Sequence, residues 1–236
     1  MSAAPHRFAL ASGLRVVAHP ELGRAAAESL AAALDAAVAA RTRDGLERRV
    51  EGPYEGWLKG GPLRGESLWR HGLRAALLRQ APPRVREFEN LLALDALGLA
   101  TPTPLLAGCR WRRGLPRRQW LFTRHARGTR RFEELDGPGR ARAWIAAAGD
   151  LARLHAAGRR HGDAHPRNLL VASDGRVVWI DVWRYPAARA RVLRPAACAE
   201  DLEHLLCGAE AGVSERARAR YDEQRARLAG EAPIRP

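Results

Sequence analysis

The string His161-Gly162-Asp163-Ala164-His165-Pro166-Arg167-Asn168 sets a carboxylate, Asp163, shortly ahead of a side-chain amide, Asn168. A second carboxylate, Asp181, closes the apolar run Val177-Val178-Trp179-Ile180 that follows. These residue types suit phosphoryl transfer. The reaction needs a carboxylate that orients and deprotonates the attacking hydroxyl, a part for Asp163. It also needs oxygen ligands for Mg²⁺, a hard cation that takes carboxylate and amide oxygens, and Asn168 with Asp181 would supply them. Within the same stretch His161 reads as an anchor for the loop and His155 as a packed helix residue. Asp174, in Ser173-Asp174-Gly175, reads as a turn former.

The order H-x-D-x-x-x-x-N, then a strand, then an aspartate is that of kinase catalytic loops. Such a site uses ATP and needs a lysine from an earlier strand to meet the nucleotide phosphates. Lys59 is the candidate, and it is the one lysine beside 39 arginines. An ammonium is a compact point charge that a guanidinium fork does not replace, so a lone lysine in an arginine-rich chain is conspicuous. Glu87, in Arg86-Glu87-Phe88-Glu89-Asn90, is the preferred ion-pair partner for Lys59, with Glu89 and Glu66 as alternatives. Gly52 and Gly56 in Glu51-Gly52-Pro53-Tyr54-Glu55-Gly56 could let backbone amides cover the phosphates, although the run is not G-x-G-x-x-G.

The elements that would carry these groups follow from pattern. Residues 1–44 read as an N-terminal extension, a short apolar stretch at Leu14–Val17 followed by an Ala-rich amphipathic helix near Ala25–Ala40. Residues 45–127 read as a β-rich N-lobe. There, strands at Leu46–Val50 and Tyr54–Lys59 flank a turn, and Gly60–Gly65 forms a loop. A helix at about Arg84–Leu97 is stopped by Gly98, with Pro102 and Pro104 beyond it. Strands at Leu105–Trp111 and Gln119–Arg124 flank a basic turn, Arg112–Arg118. Residues 128–236 read as a small helical C-lobe, with a connector at Gly128–Asp136 and helices near Ala141–Ala157, Ala199–Leu206 and Ser214–Leu228. Between the first two helices lies a hairpin that follows the catalytic loop. Strands first and helices later give an α+β protein of two-lobed, protein-kinase-like fold.

Composition narrows the classes. A chain of 236 residues with 46% hydrophobic residues can bury a core and is not disordered. It contains no run of about 20 apolar residues that could cross a bilayer, and Met1–Pro20 does not read as a secretory signal. Cytosolic placement follows. Cys109, Cys198 and Cys207 are odd in number and far apart, which suits neither a disulfide framework nor a zinc site. The net charge of +14 favours an anionic partner, alongside an arginine-rich coding bias.

The chain resembles the bacterial lipopolysaccharide core kinases, which phosphorylate Kdo or heptose of the inner core. The resemblance runs from about Leu46 to Leu206. It rests on Trp57-Leu58-Lys59, Arg86-Glu87-Phe88, Leu97-Gly98-Leu99-Ala100-Thr101-Pro102-Thr103-Pro104, Leu154-His155, His161-Gly162-Asp163, Ile180-Asp181-Val182-Trp183-Arg184 and Asp201-Leu202. A typical protein kinase has D-F-G where this chain has Asp181-Val182-Trp183. The resemblance implies that Lys59 binds nucleotide phosphates, Asp163 is the base, and Asn168 and Asp181 hold magnesium. It implies too that Asp201 braces the catalytic loop from a later helix.

Charge placement bears on the acceptor. Nine arginines and no acid lie in Arg110–Arg131, and Arg184, Arg189, Arg191 and Arg194 lie between Asp181 and Glu200. Guanidinium forks suit the carboxylate of Kdo and the phosphates of the core. A solvated basic face or a patch resting on an anionic membrane at the cytoplasmic side would look the same. Arg167 and Arg184 are the candidate substrate contacts, and Trp183 and Tyr185 could stack on a sugar. Three other readings compete. A small-molecule phosphotransferase of the aminoglycoside or choline type would prefer a larger helical lobe and an acidic acceptor site. A kinase-like ATPase of a tRNA-modification complex would exploit the charge through RNA, but D-F-G would be expected at Asp181, so nucleic acid is the less favoured partner. A non-enzymatic module would be expected to lack one of Lys59, Asp163, Asn168 and Asp181.

Overall fold

A computed structural model describes residues 4–40, 46–182 and 193–230. The chain divides into two compact units, one formed by Met1–Leu92 with Pro102–Ala126 and the other by Ala93–Thr101 with Arg127–Pro236.

The first unit is built on a six-stranded antiparallel sheet. Its strands are β1 (His6–Leu10), β2 (Leu14–Ala18), β3 (Leu46–Val50), β4 (Gly56–Pro62), β5 (Pro104–Arg112) and β6 (Leu115–Arg124), in the order β1-β2-β5-β6-β4-β3. Residues 6–39 are therefore not an extension ahead of the sheet, as the pattern suggested. β2 pairs with β5 in the interior of the sheet, and helix α1 (Arg24–Ala39) covers one face. The short strands escaped notice because only Leu14–Val17 reads as apolar. β4 also runs on through Gly60 and Gly61, which the sequence reading gave to a loop. The basic turn shrinks to Arg113-Gly114, both at positive φ, the conformation a two-residue hairpin turn requires.

The two sides of the sheet differ. Leu14, Val16, Ala18, Leu58, Leu106, Trp120 and Phe122 face α1, whose Ala27, Ala31, Leu34 and Val38 recur at helical spacing to meet them. Trp120 is fully buried between its cross-strand neighbours Gly60 and Gly108. A Cβ on Gly108 would lie 2.3 Å from the indole, and one on Gly60 2.7 Å from the Trp120 Cβ. Asp35 stands inside the apolar stripe of α1. It accepts hydrogen bonds from Arg110, Arg118 and the Trp120 indole. Burial alone would raise the Asp35 carboxyl, but the bonds from Arg118 and Arg110 outweigh it and hold the group ionised below its ordinary range.

On the opposite side a helical run fills the chain between β4 and α4. It consists of α2 (Gly65–Ser67), a π-helical turn (Leu68–Leu73) and α3 (Arg74–Leu77). α4 (Pro83–Asp95) follows and is tied to the sheet where the Arg84 N–H donates to Gln119 Oε1 at 3.0 Å. Gly98, at φ +71, ends that helix. Its N–H donates to the Asp95 carbonyl and the next N–H, of Leu99, to the Leu94 carbonyl.

The second unit is mostly helical. α5 (Gly137–Ala156) begins where the Asp136 carboxylate accepts from the Gly139 N–H at 2.6 Å, with Pro138 in the first turn. It ends at Gly158, φ +72, with the same two bonds found at Gly98: Gly158 to His155 and Arg159 to Leu154. α6 (Pro195–Leu205) and α7 (Ala211–Gly230) complete the helices, and α7 buries Val213, Ala217, Tyr221 and Gln224. A small antiparallel sheet of β7 (Thr129–Arg131), β8 (Leu169–Ala172) and β9 (Val177–Trp179) lies beyond α5. No described helix is long and apolar enough to cross a membrane.

Candidate active site

The loop bearing Asp163 starts at the stop of α5. Gly158 turns the chain out of the helix, and Arg160, His161 and Gly162 then wrap around one carboxylate. Asp201, fully buried on α6, accepts from the backbone N–H groups of His161 (3.0 Å) and Gly162 (3.1 Å), from Arg160 Nη2 (2.9 Å) and from His155 Nε2 (3.2 Å). Burial pushes this carboxyl up, but the bonds from His155 and Arg160 win and hold it below the ordinary carboxylate range. His155 is fixed in turn by the Tyr221 hydroxyl of α7 at 2.7 Å. The brace expected of Asp201 is thus a four-donor cage.

His161 is buried and packs its ring against Trp179 at 4.9 Å between centroids. Burial drives its pKa down to about 4, although Asp201, Asp163 and Asp181 pull the other way. It is neutral at physiological pH and accepts from the Asp163 N–H at 3.4 Å, the anchoring role read from the sequence. Asp174 accepts from the Arg176 N–H at 2.9 Å and so forms its turn as expected.

The structure brings Asp163, Arg167 and Asn168 together. Pro166–Asn168 is a single 3₁₀ turn, capped by the His165 ring accepting from the Arg167 N–H. Asn168 Nδ2 donates to the Asp163 carbonyl at 2.8 Å, which identifies Oδ1 as the acceptor atom of that amide. Arg167 Nη2 stands 3.4 Å from both carboxylate oxygens of Asp163. Asp181 follows β9, whose neighbour Ile180 donates its N–H to the Asn168 carbonyl at 3.0 Å. Asp181 has φ +59, a left-handed conformation uncommon for a residue with a side chain and frequent at working sites.

These oxygens fit magnesium in kind, since that ion takes one or two protein oxygens and completes its shell with phosphates and water. Among the described residues no cluster of three or more His, Cys, Asp or Glu side chains forms an all-protein metal cage.

Lys59 lies in the first unit, in the middle of β4. Leu58 faces α1, so alternation sends Lys59 to the other side of the sheet. Its ammonium is 3.9 Å from Glu47, the residue directly opposite on β3. The partnership expected with Glu87 is not formed. Glu87 is buried and pairs with Arg84 one turn earlier on α4, Glu89 pairs with Arg7, and Glu66 with Arg70. Helical spacing offered several acids, but the sheet register supplied a nearer one. Gly56 has a packing reason, because a Cβ there would lie 2.2 Å from the Thr123 carbonyl and 2.6 Å from the Phe122 ring. Gly52 adopts φ +134 with open space around it. Arg184, with Trp183, Tyr185, Arg189 and Arg191, falls outside the described residues.

A family model described as "Lipopolysaccharide kinase (Kdo/WaaP) family" matches residues 58–224, the greater part of the chain. The chain belongs to that family. It is a phosphotransferase of kinase-like fold, and membership implies ATP as phosphoryl donor. Among solved structures it is similar to WaaP in complex with acyl carrier protein, at 19% identity and a TM-score of 0.56, over 83% of this chain and 86% of the other. Weaker likenesses include a glucosamine kinase bound to glucosamine, ADP and phosphate (12%, TM-score 0.42, 96% and 80% covered). Another is the MAP kinase LmaMPK10 of Leishmania major (15%, 0.44, 91% and 68%). No curated protein matches.

Two residues of this kinase's loop support were not read from the sequence. Arg160 is one guanidinium among 39, and only its burial against Asp201 sets it apart. Asp150, on α5, accepts from the Trp179 indole at 3.2 Å and from Arg153, and burial raises its carboxyl. Its place one turn before Leu154-His155 was the available signal.

Proposed function

We propose that the protein transfers the γ-phosphoryl group of Mg-ATP to a sugar hydroxyl, of Kdo or heptose, in the lipopolysaccharide inner core. The observation that carries this reading is the loop Asp163–Asn168, held by the Asp201 cage in a chain of the lipopolysaccharide kinase family. Asp163 orients the acceptor hydroxyl and takes its proton as the oxygen attacks. Arg167, mostly exposed and beside that carboxylate, offers its remaining donors to an anionic group of acceptor or nucleotide. Asn168 Oδ1 and Asp181 would hold the magnesium ion, which would supply positive charge to offset that developing on the phosphates. Lys59 meets the nucleotide phosphates from β4, with Glu47 rather than Glu87 restraining it. Arg184 remains a substrate contact on sequence grounds.

The test is transfer of labelled γ-phosphate from Mg-ATP to purified deep-rough lipopolysaccharide. Wild type should label the glycolipid, and Asp163→Asn should lower turnover by roughly 10²–10⁴-fold while ATP binding persists. An Asp163→Asn protein with undiminished turnover would remove the base from this scheme. Absence of label with wild type, ATP still binding, would remove the acceptor.

A further inference from the structure

The α1 side of the first unit gathers positive charge around a concavity. An open basin of about 590 Å³ lies between the end of α1 and the β5–β6 hairpin. Arg64, Arg110, Arg112, Arg113, Arg117 and Arg118 line it, and no Asp or Glu does among the described residues. Arg64, Arg112, Arg113 and Arg117 are exposed and make no ion pair among the described residues. Like charges held this close repel one another until an anion enters.

The other two arginines are built in. Asp35 is buried within the apolar stripe of α1, where a carboxylate is costly unless it is paired. It accepts from Arg110 Nε (3.0 Å) and Nη2, and from Arg118 Nε (3.1 Å) and Nη2 (2.9 Å). Arg110 Nη1 donates in addition to the Ser12 carbonyl at 2.6 Å. Arg118 Nη1 makes no hydrogen bond among the described residues. With side chains 28% and 23% exposed, Arg110 and Arg118 form a fixed floor, and the four unpaired arginines form the rim. Arginines that served only to keep a face solvated would need no buried carboxylate to hold them.

We propose that this basin binds a compact soluble oligophosphate, a ligand with two or more linked phosphoryl groups. Each tetrahedral phosphoryl group presents several oxygens and can take forks from floor and rim together, whereas a planar carboxylate fills a single fork. The concavity favours a compact anion, because a flat or extended polyanion would meet the rim and not the floor. This site is separate from the reacting one. Arg110 and Arg118 reach Asp35 on the α1 side of the sheet, and Lys59 is turned to the other side. The inference therefore does not rest on the proposed reaction.

The experiment is calorimetric titration of the full chain with sodium tripolyphosphate, without magnesium or nucleotide, at about 0.15 M salt. Wild type should take up one equivalent, at least about tenfold more tightly than orthophosphate or citrate. Replacing Arg64, Arg112 and Arg117 together by glutamine should weaken binding at least about tenfold, with the thermal midpoint of the free protein unchanged. Replacing the same three by lysine keeps the charge but removes the forks, and should still weaken it at least about threefold. Lys59→Ala should bind within twofold of wild type. Absence of binding, a glutamine variant within twofold of wild type, or a lysine variant equal to wild type would each overturn the proposal. So would equal affinity for citrate, or loss of binding in Lys59→Ala, which would put the anion at the nucleotide site. Displacement of tripolyphosphate by anionic vesicles or single-stranded DNA at equal phosphate concentration would assign the basin to a polyanion and overturn it too. Phosphoryl transfer is read separately, so failure here is distinct from failure of the kinase assignment.

Discussion

At the scale of single residues, most of the site's order depends on Asp201. Four donors converge on it, two of them backbone amides of the loop that carries Asp163. Asp201→Ala would leave the buried His161 N–H and His155 Nε2 without this acceptor, while Arg160 would keep its bond to Glu200. The substitution should lower unfolding free energy by about 3–5 kcal/mol in urea titrations. A loss under 1 kcal/mol would mean that the loop is held by other means. His161 gives a pH dependence whose sign is fixed. Its folded pKa of about 4 lies below the unfolded value near 6.5, so the unfolded chain takes up a proton that the folded protein refuses. Stability should be intact above about pH 6.5 and decline toward pH 4 by up to about 1.4 kcal/mol per unit. His71, lowered by burial and by Arg86, Arg70 and Arg74, adds in the same sense. His161→Gln should therefore flatten the urea-derived stability profile between pH 7 and 5 only in part, and a profile parallel to wild type would exclude His161 as a titrating group. Asp163, Asn168 and Asp181 stand out in the sequence as candidates because phosphoryl-transfer chemistry calls for these residue types at this spacing. Glu47 does not, because opposition across a hairpin depends on register, which a helix-centred search for acids ignores.

At the scale of elements, the sheet shows what hydrophobic pattern can and cannot reveal. The helices were legible because Gly98 and Gly158 stop α4 and α5 in the same way, each following a strong apolar repeat. The short N-terminal strands β1 and β2 were less so. A five-residue strand offers few alternations, and β1 exposes much of its length. Gly60 read as part of a loop and Gly108 drew no reading of its own within its strand, yet each leaves room for Trp120 on a neighbouring strand. Gly108→Ala should destabilise the protein by about 1–3 kcal/mol in thermal or urea melts, because its Cβ would meet the indole and the sheet backbone has little room to give. A neutral effect would mean that Trp120 can move. Asp35 also eluded the pattern, since an acid within an alanine-rich helix reads as surface until Arg110 and Arg118 are seen to reach it.

At the scale of the whole molecule, a net charge of +14 and a single lysine were plain in the composition, whereas the fate of individual arginines was not. Some are structural, as Arg110, Arg118 and Arg160 are, and others line an open basin. The lysine allows a direct check on the nucleotide role. An amine-selective acylating reagent should modify Lys59, with its side chain 19% exposed, and Mg-ATP should slow that modification at least about tenfold, read by mass spectrometry. Equal rates with and without nucleotide would take Lys59 out of the phosphate contacts. The same scarcity has a practical consequence. Apart from the terminal amine, every amine adduct on this chain would lie at Lys59, so a digest that separates the first peptide would measure its fractional occupancy directly, with no cysteine tag or engineered label to install.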